Sequence, residues 1–455
     1  MLSGSLESPA RHAASRAGKH PSLSGAEASP SRPPPSSHPP PSSRPPPSSH
    51  PPPPPLAGSL LPQAASPLPQ AAALRRALGA TLAPAGPQTG TLVYDMTAHT
   101  TVLSVRAGIP RPPASVEKIY TSVAALRKLG PAAELLTAVM GTGHLGAGGV
   151  WDGNLYLRGG GDPTFGDGAF NRVSEQGYGP TATELGAQLR RDGIRRVTGS
   201  LIADSSLFDG APGGPATNFR PDIPDYYGEL GALTYDHGAT TAAWPSPATF
   251  AAHELASTLR GMGSSVTASH QPGVTPPTAR VLASISSPPL SVLLRLMDVP
   301  SDDLMADMLA KQLGALFGAD GTLGAGARVI SSQIAAYGLQ PAIVDGSGLS
   351  RDDLSSPLQV VDLLRAVWGT PVGEVLRSAL PVVGRTGTVE TLGVRTPAAG
   401  HCVAKTGTLT DVTNLAGYCR SKARHLVAFA VFIDGPASWQ AFPMLSRAVG
   451  EIAAY

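Results

Sequence analysis

Several features that would assign a chain to a functional class are absent from this sequence. The formal net charge is only +2 over 455 residues and no long basic run occurs, so nucleic acid is not expected as a partner. No stretch of about 18 uninterrupted apolar residues is present, so no membrane-spanning helix is predicted. The sequence has no H-E-x-x-H motif and its 11 histidines are scattered. It therefore predicts neither a metal site nor another cofactor.

The first 70 residues are of low complexity. Proline triplets followed by two serines repeat at 33–38, 39–44 and 45–50. Such a segment has too few apolar groups to offset the entropy lost on ordering. We expect residues 1–70 to be a disordered, partly polyproline II tether. A spacer is the favoured role, and docking to an SH3-like partner is the alternative.

The N-terminus also lacks a convincing export signal. A signal peptide has a basic start that is followed directly by an apolar stretch. Here Arg11, Arg16 and Lys19 are followed by serine and proline, and the nearest apolar stretch, 56–78, is interrupted by prolines. A wrongly assigned start would explain the missing signal.

Strand and helix patterns occur at both ends of the ordered part, and a region of different character separates them. At 455 residues the chain can hold two or more domains. The predicted strands are 89–95, 101–107, 402–406, 414–420 and 425–434, and the predicted helices are 115–129, 290–296, 304–317 and 437–453. These patterns predict one sheet built from both chain ends. The domain that contains it would consist of two parts, residues 71–140 and 288–455. The glycine-rich segment 141–287, with its short apolar runs, is predicted to be a β-rich insertion.

Three short strings carry chemical information. They are Ser115-Val116-Glu117-Lys118, Ser301-Asp302-Asp303 and Lys405-Thr406-Gly407-Thr408. Each one alone is weak, because a helix cap or a surface lysine explains it equally well. The ordered set, with two strings at helix starts and one in an apolar strand, predicts a serine acyl-transfer site.

The first string provides a nucleophile and a base. Ser115 needs a base to become nucleophilic, and Lys118 lies one helical turn later on the same face. Lys118 can serve if its ammonium loses a proton, which burial and the nearby cation Lys405 would favour. Ser301 is a candidate for carrying a proton to the leaving group.

The third string is suited to holding a carboxylate. Lys405 and the hydroxyls of Thr406 and Thr408 are the candidate contacts, and Gly407 allows another backbone to approach closely. The backbone N–H groups of Thr408 and Ser115 would stabilise an oxyanion. A similar string at 385–388 is rejected, because a proline and a glycine interrupt the strand before it.

With these strings in place, the chain resembles the penicillin-binding serine D-Ala-D-Ala peptidases. More narrowly, it resembles the low-molecular-mass class C carboxypeptidase/endopeptidases over about residues 75–455. The strings at 159–164, 345–351 and 404–418 support the narrower assignment, as does the long gap between Ser115 and Ser301. The resemblance implies an α+β penicilloyl-serine transferase fold, in which helices flank an antiparallel sheet.

The resemblance also implies a reaction and its participants. The substrate would be a peptidoglycan stem peptide, with β-lactams as covalent inhibitors and the cell envelope or its exterior as the location. Ser115 would form the acyl-enzyme, Lys118 would be the base and Ser301 the proton relay. The terminal carboxylate would be held by Lys405, Thr406, Gly407 and Thr408. Three further substrate contacts are implied, namely Asp162, Ser347 and Arg351, of which Asp162 and Arg351 would grip the zwitterionic end of diaminopimelate.

One residue departs from the family pattern. The second string of the family ends in asparagine, and here Asp303 takes its place, facing Lys118 and the substrate amide. An ionised aspartate only accepts hydrogen bonds, and its charge would stabilise the ammonium form of Lys118 and weaken it as a base. Two alternatives stay open: a β-lactamase or esterase on the same fold and, because of Asp303, a catalytically impaired peptidoglycan-binding homologue.

The two cysteines, Cys402 and Cys419, flank a predicted turn near residues 410–411 at nearly equal distances. In a hairpin of that register they would lie opposite each other, close enough to bridge. A reduced pair is expected in the cytosol, and export would favour the disulfide.

Overall fold

The computed structural model describes residues 69–221, 228–238, 246–269 and 271–455. The tail predicted at 1–70 therefore lies almost wholly outside the described residues. The remaining chain forms two β-sheets with helices packed on them.

Twelve strands are present in the described part of the chain. In order they are β1 (Gly90–Asp95), β2 (Thr100–Val105), β3 (Leu136–Gly141), β4 (His144–Leu145), β5 (Val150–Asp152), β6 (Leu155–Arg158), β7 (Arg196–Asp204), β8 (Ser265–Ala268), β9 (Arg280–Ser286), β10 (Cys402–Leu409), β11 (Val412–Arg420) and β12 (Leu426–Asp434).

Eleven α-helices are found in the same residues. They are α1 (Pro69–Leu82), α2 (Lys118–Leu129), α3 (Gly168–Val173), α4 (Ala182–Arg191), α5 (Pro247–Gly261), α6 (Leu290–Asp298), α7 (Asp303–Phe317), α8 (Leu323–Ala335), α9 (Pro357–Val367), α10 (Pro371–Ala379) and α11 (Ser438–Ala454).

The first sheet joins the two ends of the chain, as predicted. Its strand order is β10-β11-β12-β1-β2, and every neighbouring pair is antiparallel. The link between the ends is the β1–β12 pair, in which Val93 lies opposite Phe429. The expected α+β class with an antiparallel sheet is confirmed.

Helices cover both faces of this sheet, and the alternation of β12 shows how. Phe429 and Val431 pack in a core with α1 and α11, whereas Ala430 and Phe432 pack in a core with α2 and α9. Successive side chains of a strand point to opposite faces, so a strand covered on both sides is apolar throughout. This arrangement buries α2, the helix that follows Ser115, between the sheet and α6, α7 and α8.

A second, seven-stranded sheet is formed by β3–β9. It combines antiparallel and parallel pairs and has its own hydrophobic core, in which α4 and α5 cover one part of the sheet.

The boundary predicted at residue 141 falls at the last residue of β3. The division into parts 71–140, 141–287 and 288–455 stays a prediction. Helix α5 escaped sequence analysis, and half of its buried residues are alanines, which give little hydrophobic contrast.

None of the described helices has the length and apolar character needed to cross a membrane. Over the same residues, no group of three or more histidine, cysteine, aspartate or glutamate side chains is placed to hold a metal ion.

The register of the β10–β11 hairpin is the one predicted from the cysteines. Cys402 lies opposite Cys419, and their sulfurs are bonded. The bridge fixes the end of the hairpin remote from its turn.

We predict that exported, oxidised protein shows no titratable thiol after denaturation without reductant. Because the bridge closes a loop with a sequence separation of 17, reducing it should lower the free energy of unfolding. The chain-entropy model gives about 3 kcal/mol for a loop of about this length. Urea unfolding with and without reductant measures the loss. A Cys402→Ala, Cys419→Ala variant should not respond to reductant, and two titratable thiols in the oxidised wild type would contradict the pairing.

Candidate active site

The serine of the first string lies on a tight turn ahead of α2. Residues Ala114–Glu117 form one turn of 3₁₀-helix, and Ala114 begins it with a left-handed φ of +48°. In a 3₁₀ turn residues three apart lie above one another, so Ser115 and Lys118 point the same way. The first string was expected at the start of a helix, and the 3₁₀ geometry explains why its serine and lysine side chains share one direction.

Two neighbouring backbones press against this turn at glycines. A Cβ atom on Gly407 would lie 2.3 Å from the Pro113 carbonyl oxygen, and one on Gly348 would lie 2.0 Å from that of Ala114. Only glycine permits these approaches without displacing the turn. The close contact expected at Gly407 is therefore with the turn that carries the serine.

Asn414 holds the same turn from the sheet, and sequence reasoning did not single it out. Its Nδ2 donates to the carbonyl oxygens of Pro112 and Pro113, both at 3.0 Å, and its Oδ1 accepts from Ile433 N at 3.2 Å. Asn414 is buried on β11, opposite Gly407. An amide that donates and accepts can bridge two segments in this way.

The Lys118 ammonium is the centre of the site. The side chain is fully buried, and Nζ donates to Ser115 Oγ at 3.0 Å, to the Ser347 carbonyl oxygen at 2.8 Å and to Asp303 Oδ1. An ammonium has three hydrogens, so these contacts use all of them. The Ser115 hydroxyl also lies within 3.4 Å of Asp303 Oδ1, to which it can donate.

Asp303 is the only carboxylate in direct contact with Lys118 among the described residues. Glu117 is also close, but it is fully buried and neither of its oxygens has a hydrogen-bond partner in that part of the chain. Burial, and then the charge of Asp345, raise the pKa of Glu117 well above its usual value. Asp303, and not Glu117, is therefore the carboxylate that meets the Lys118 ammonium.

The loop with Ser347 is shaped by a buried carboxylate. The oxygens of Asp345 accept from the backbone N–H groups of Ser347 at 3.0 Å, Gly348 at 2.6 Å and Ser350 at 2.9 Å. These bonds orient the Ser347 carbonyl toward Lys118. Ser347 thus enters the site through its backbone, whereas its hydroxyl bonds to Asp345 at 3.3 Å.

The second string reaches the site through a strained backbone. Asp302 caps α7 by accepting from Met305 N at 2.7 Å, and Ser301 just before it has a left-handed φ of +71°. Ser301 Oγ accepts from Lys405 Nζ at 2.6 Å. A non-glycine residue in this conformation costs on the order of 1–3 kcal/mol and persists where surrounding contacts require it.

Lys405 has an unusual electrostatic environment. Burial, and then repulsion by Lys118, lower the pKa of Lys405 to about 7, against the opposing attraction of Asp298 and Asp303. Burial likewise raises the pKa of Asp298 to about 7. Ser122 Oγ donates to Asp298 Oδ2 at 3.0 Å. Asp298 and Ser122 therefore belong to the electrostatic surroundings of Lys405, although sequence analysis missed them.

The string rejected at 385–388 also meets the site. Thr406 Oγ1 donates to Thr388 Oγ1 at 2.7 Å. Lys405, in contrast, lies on β10 and donates to Ser301 Oγ. The rejected string therefore contacts the third string through a hydrogen bond between threonine hydroxyls.

The two residues expected to grip diaminopimelate form no ion pair with each other. Arg351 Nη2 is paired with Asp411 Oδ1 at 2.6 Å, and both side chains are about half exposed. Asp162 is buried, and its Oδ1 accepts from the amide and the hydroxyl of Thr164 at 2.8 and 2.7 Å. Burial raises the pKa of Asp162 to about 7. Asp411, at the turn of the β10–β11 hairpin, is the acidic neighbour of Arg351.

Comparison with known proteins identifies this arrangement. The profile of the D-Ala-D-Ala carboxypeptidase 3 (S13) family matches residues 74–242 and 227–454. The chain belongs to this family. Membership confirms the resemblance to class C penicillin-binding carboxypeptidases, and the chain is a serine-type D-Ala-D-Ala carboxypeptidase, a hydrolase.

Individual relatives and one solved structure agree with the family. The chain is 30% identical over 406 residues to carboxypeptidase DacB of Mycolicibacterium smegmatis, covering 84% of each chain. It is 25% identical over 397 residues to D-alanyl-D-alanine carboxypeptidase DacB of Haemophilus influenzae, covering 71% of this chain and 80% of that one. Its fold resembles the crystal structure of penicillin binding protein 4 (dacB) from Haemophilus influenzae, with a TM-score of 0.70, 20% identity, and coverage of 83% of this chain and 99% of that chain.

We predict that Asp303→Asn accelerates acylation by penicillin. Removing the carboxylate removes the charge that favours the Lys118 ammonium, so the rising limb of the pH–rate profile should move to lower pH. A tenfold increase in the second-order rate constant corresponds to about 1.4 kcal/mol of barrier. The measurement is that rate constant across pH for both proteins.

Asp302→Asn is the matched control. It removes the same charge from the adjacent residue and retains a side chain able to cap α7. Its acylation rate should stay near that of the wild type. If Asp303→Asn leaves the profile unchanged or abolishes acylation, Asp303 does not restrain Lys118 in the way described.

Proposed function

We propose that Ser115 is the nucleophile and Lys118 its base, acting on the D-Ala-D-Ala end of peptidoglycan stem peptides. The observation that carries the proposal is the 3.0 Å contact between Lys118 Nζ and Ser115 Oγ in a buried site that also holds Ser301 and Lys405. A nucleophile within hydrogen-bond reach of a base that other groups orient is the general arrangement for covalent acyl transfer.

The acylation step follows from these positions. Lys118 first passes a proton to Asp303 or to solvent, and its neutral amine then takes the proton of the Ser115 hydroxyl. Ser115 Oγ attacks the carbonyl carbon of the penultimate D-alanine, and the backbone N–H groups of Ser115 and Thr408 receive the developing oxyanion. When the C–N bond breaks, the amine of the terminal D-alanine takes a proton through Ser301. An ester on Ser115 and free D-alanine result.

Deacylation returns the enzyme to its starting state. A water molecule gives a proton to the same base and attacks the ester carbonyl. The shortened peptide leaves with a new carboxylate, and Ser115 recovers its proton. Attack by water makes the enzyme a carboxypeptidase, and the same chemistry on a cross-linked peptide would make it an endopeptidase.

The substrate carboxylate is assigned to β10. Lys405, Thr406 and Thr408 would hold it, with Gly407 keeping the strand close to the serine turn. Lys405 is charged mainly below its pKa of about 7, and an arriving carboxylate favours the charged form. A β-lactam carries a carboxylate in a similar position, and the Haemophilus influenzae protein has been crystallised in complex with a β-lactam.

Action on peptidoglycan implies a location outside the cytoplasm. We propose the cell envelope or the exterior as the site of action, and the Cys402–Cys419 disulfide fits an oxidising compartment. A slowed, mainly peptidoglycan-binding homologue is a second candidate, favoured by the Asp303 contact with Lys118.

We predict that fluorescent penicillin labels Ser115 and no other residue. Ser115→Ala should abolish labelling, because no other described serine contacts a buried lysine one turn later. Ser301→Ala is the control: it keeps the nucleophile and should be labelled more slowly. Peptide mapping by mass spectrometry locates the adduct, and undiminished labelling of Ser115→Ala would overturn the assignment.

A further prediction concerns the Arg351–Asp411 pair as a contact for the stem peptide. A substrate carboxylate that binds Arg351 must compete with Asp411. Asp411→Asn should therefore lower KM for a peptide whose third residue has a free side-chain carboxylate, and leave kcat unchanged. Half-exposed pairs are worth up to about 1 kcal/mol, so the change should be at most about fivefold.

The control for this pair is a peptide with a neutral amide in place of that carboxylate. Its KM should be the same for the wild type and Asp411→Asn, and Arg351→Gln should remove the difference between the two peptides. Equal changes in KM for both peptides would show that Arg351 does not meet the carboxylate.

A further inference from the structure

A second charged site lies at the disulfide end of β10 and β11. A cavity of about 390 Å³ opens there, lined by His401, Arg420, Lys422 and Arg424, with Pro397 and Ala453 at its sides. His401 precedes β10, Arg420 ends β11, and Lys422 and Arg424 lie on the turn that leads to β12. None of these residues takes part in the catalytic contacts described above.

The charge of this cavity is unbalanced. No residue that lines it is acidic, and the side chains of Arg420, Lys422 and Arg424 are exposed. None of the three forms an ion pair within the described ranges. Over residues 391–424 the sequence has five basic residues and one acidic residue, although the whole chain carries a net charge of only +2.

The backbone around the cavity is held in place. The Cys402–Cys419 bridge joins the two strands, and Arg420 N donates to His401 O at 3.0 Å. Lys422 N donates to Ala453 O at 2.9 Å. The cations therefore project from an ordered backbone, so a ligand has to order only their side chains.

The end of α11 explains only part of this charge. Lys422 lies at the C-terminus of α11, where cations interact favourably with the helix dipole. That dipole is equivalent to about half an elementary charge, whereas three permanent cations face the cavity. Most of the positive charge is left for a ligand.

We propose that this cavity binds phosphate groups of an anionic polymer. An arginine guanidinium can donate two parallel hydrogen bonds to the oxygens of a phosphate, and the lysine ammonium adds a compact positive charge. The cavity is large enough for a phosphate together with part of the unit that carries it. The site would hold the enzyme on a phosphodiester polymer through contacts separate from the catalytic centre.

The test is calorimetric titration of the full chain with a short glycerol phosphate oligomer. The charge-removal variant is Arg420→Gln, Lys422→Gln, Arg424→Asn, in which asparagine is chosen because Arg424 has a left-handed φ of +65°. The matched control removes three exposed arginines elsewhere, Arg172→Gln, Arg191→Gln and Arg328→Gln. We expect the charge-removal variant to bind at least tenfold more weakly and the control to bind like the wild type.

Two further measurements complete the test. Wild-type affinity should fall as salt increases, with a slope of about −2 in log K against log salt for three neutralised phosphates. A polyglutamate of equal charge should bind at least tenfold more weakly than the phosphate oligomer. Absence of binding, equal loss in both variants, or equal affinity for polyglutamate would each overturn the proposal. Penicillin acylation should be unchanged in all variants, so the result is independent of the proposed catalytic roles.

Discussion

The site depends on one buried ammonium. Lys118 Nζ donates to oxygens from three separate segments: its own 3₁₀ turn, the start of α7 and the loop at residue 347. A buried charge without partners would cost several kcal/mol, and these three contacts offset that cost. In the proposed mechanism the same lysine must lose its proton, so its surroundings would set the rate of acylation as well as hold the site together.

The charge next to Lys118 depends on the residue at position 303, where this chain departs from the family pattern. An asparagine at position 303 would bond to Lys118 without adding charge, whereas Asp303 adds a full negative charge next to the base. Lys405 balances this charge in part: burial, and then repulsion by Lys118, lower the pKa of Lys405 to about 7. Burial also raises the pKa of Glu117 well above its usual value, and the other charged groups of the site are Lys118, Lys405, Asp298 and Asp303.

Local patterns in the sequence were enough to predict the family, the β10–β11 hairpin and the antiparallel sheet. The order of the three strings gave the family, and the spacing of Cys402 and Cys419 gave the register of the β10–β11 hairpin. The paired ends of the chain gave the antiparallel sheet. Each of these follows from residues close in sequence or from the alternation of a strand.

The remaining features depend on contacts between distant segments. Asn414 supports the serine turn across some 300 positions of sequence, a pairing that no local pattern reveals. Asp298 and Thr388 enter the site because the packing of α6 and the loop before β10 brings them there. The pairing of Asp411 with Arg351 follows from how the hairpin turn meets the 345–351 loop.

The most direct test of this account is the protonation state of Lys118 in the resting enzyme. The ¹⁵N resonance of Lys118 Nζ, assigned by its loss in a Lys118→Arg variant, distinguishes an ammonium from an amine. Since Nζ donates to three oxygens including a carboxylate, the account predicts an ammonium in the wild type at neutral pH and loss of that proton at lower pH in Asp303→Asn. A neutral amine in the wild type at neutral pH would contradict it.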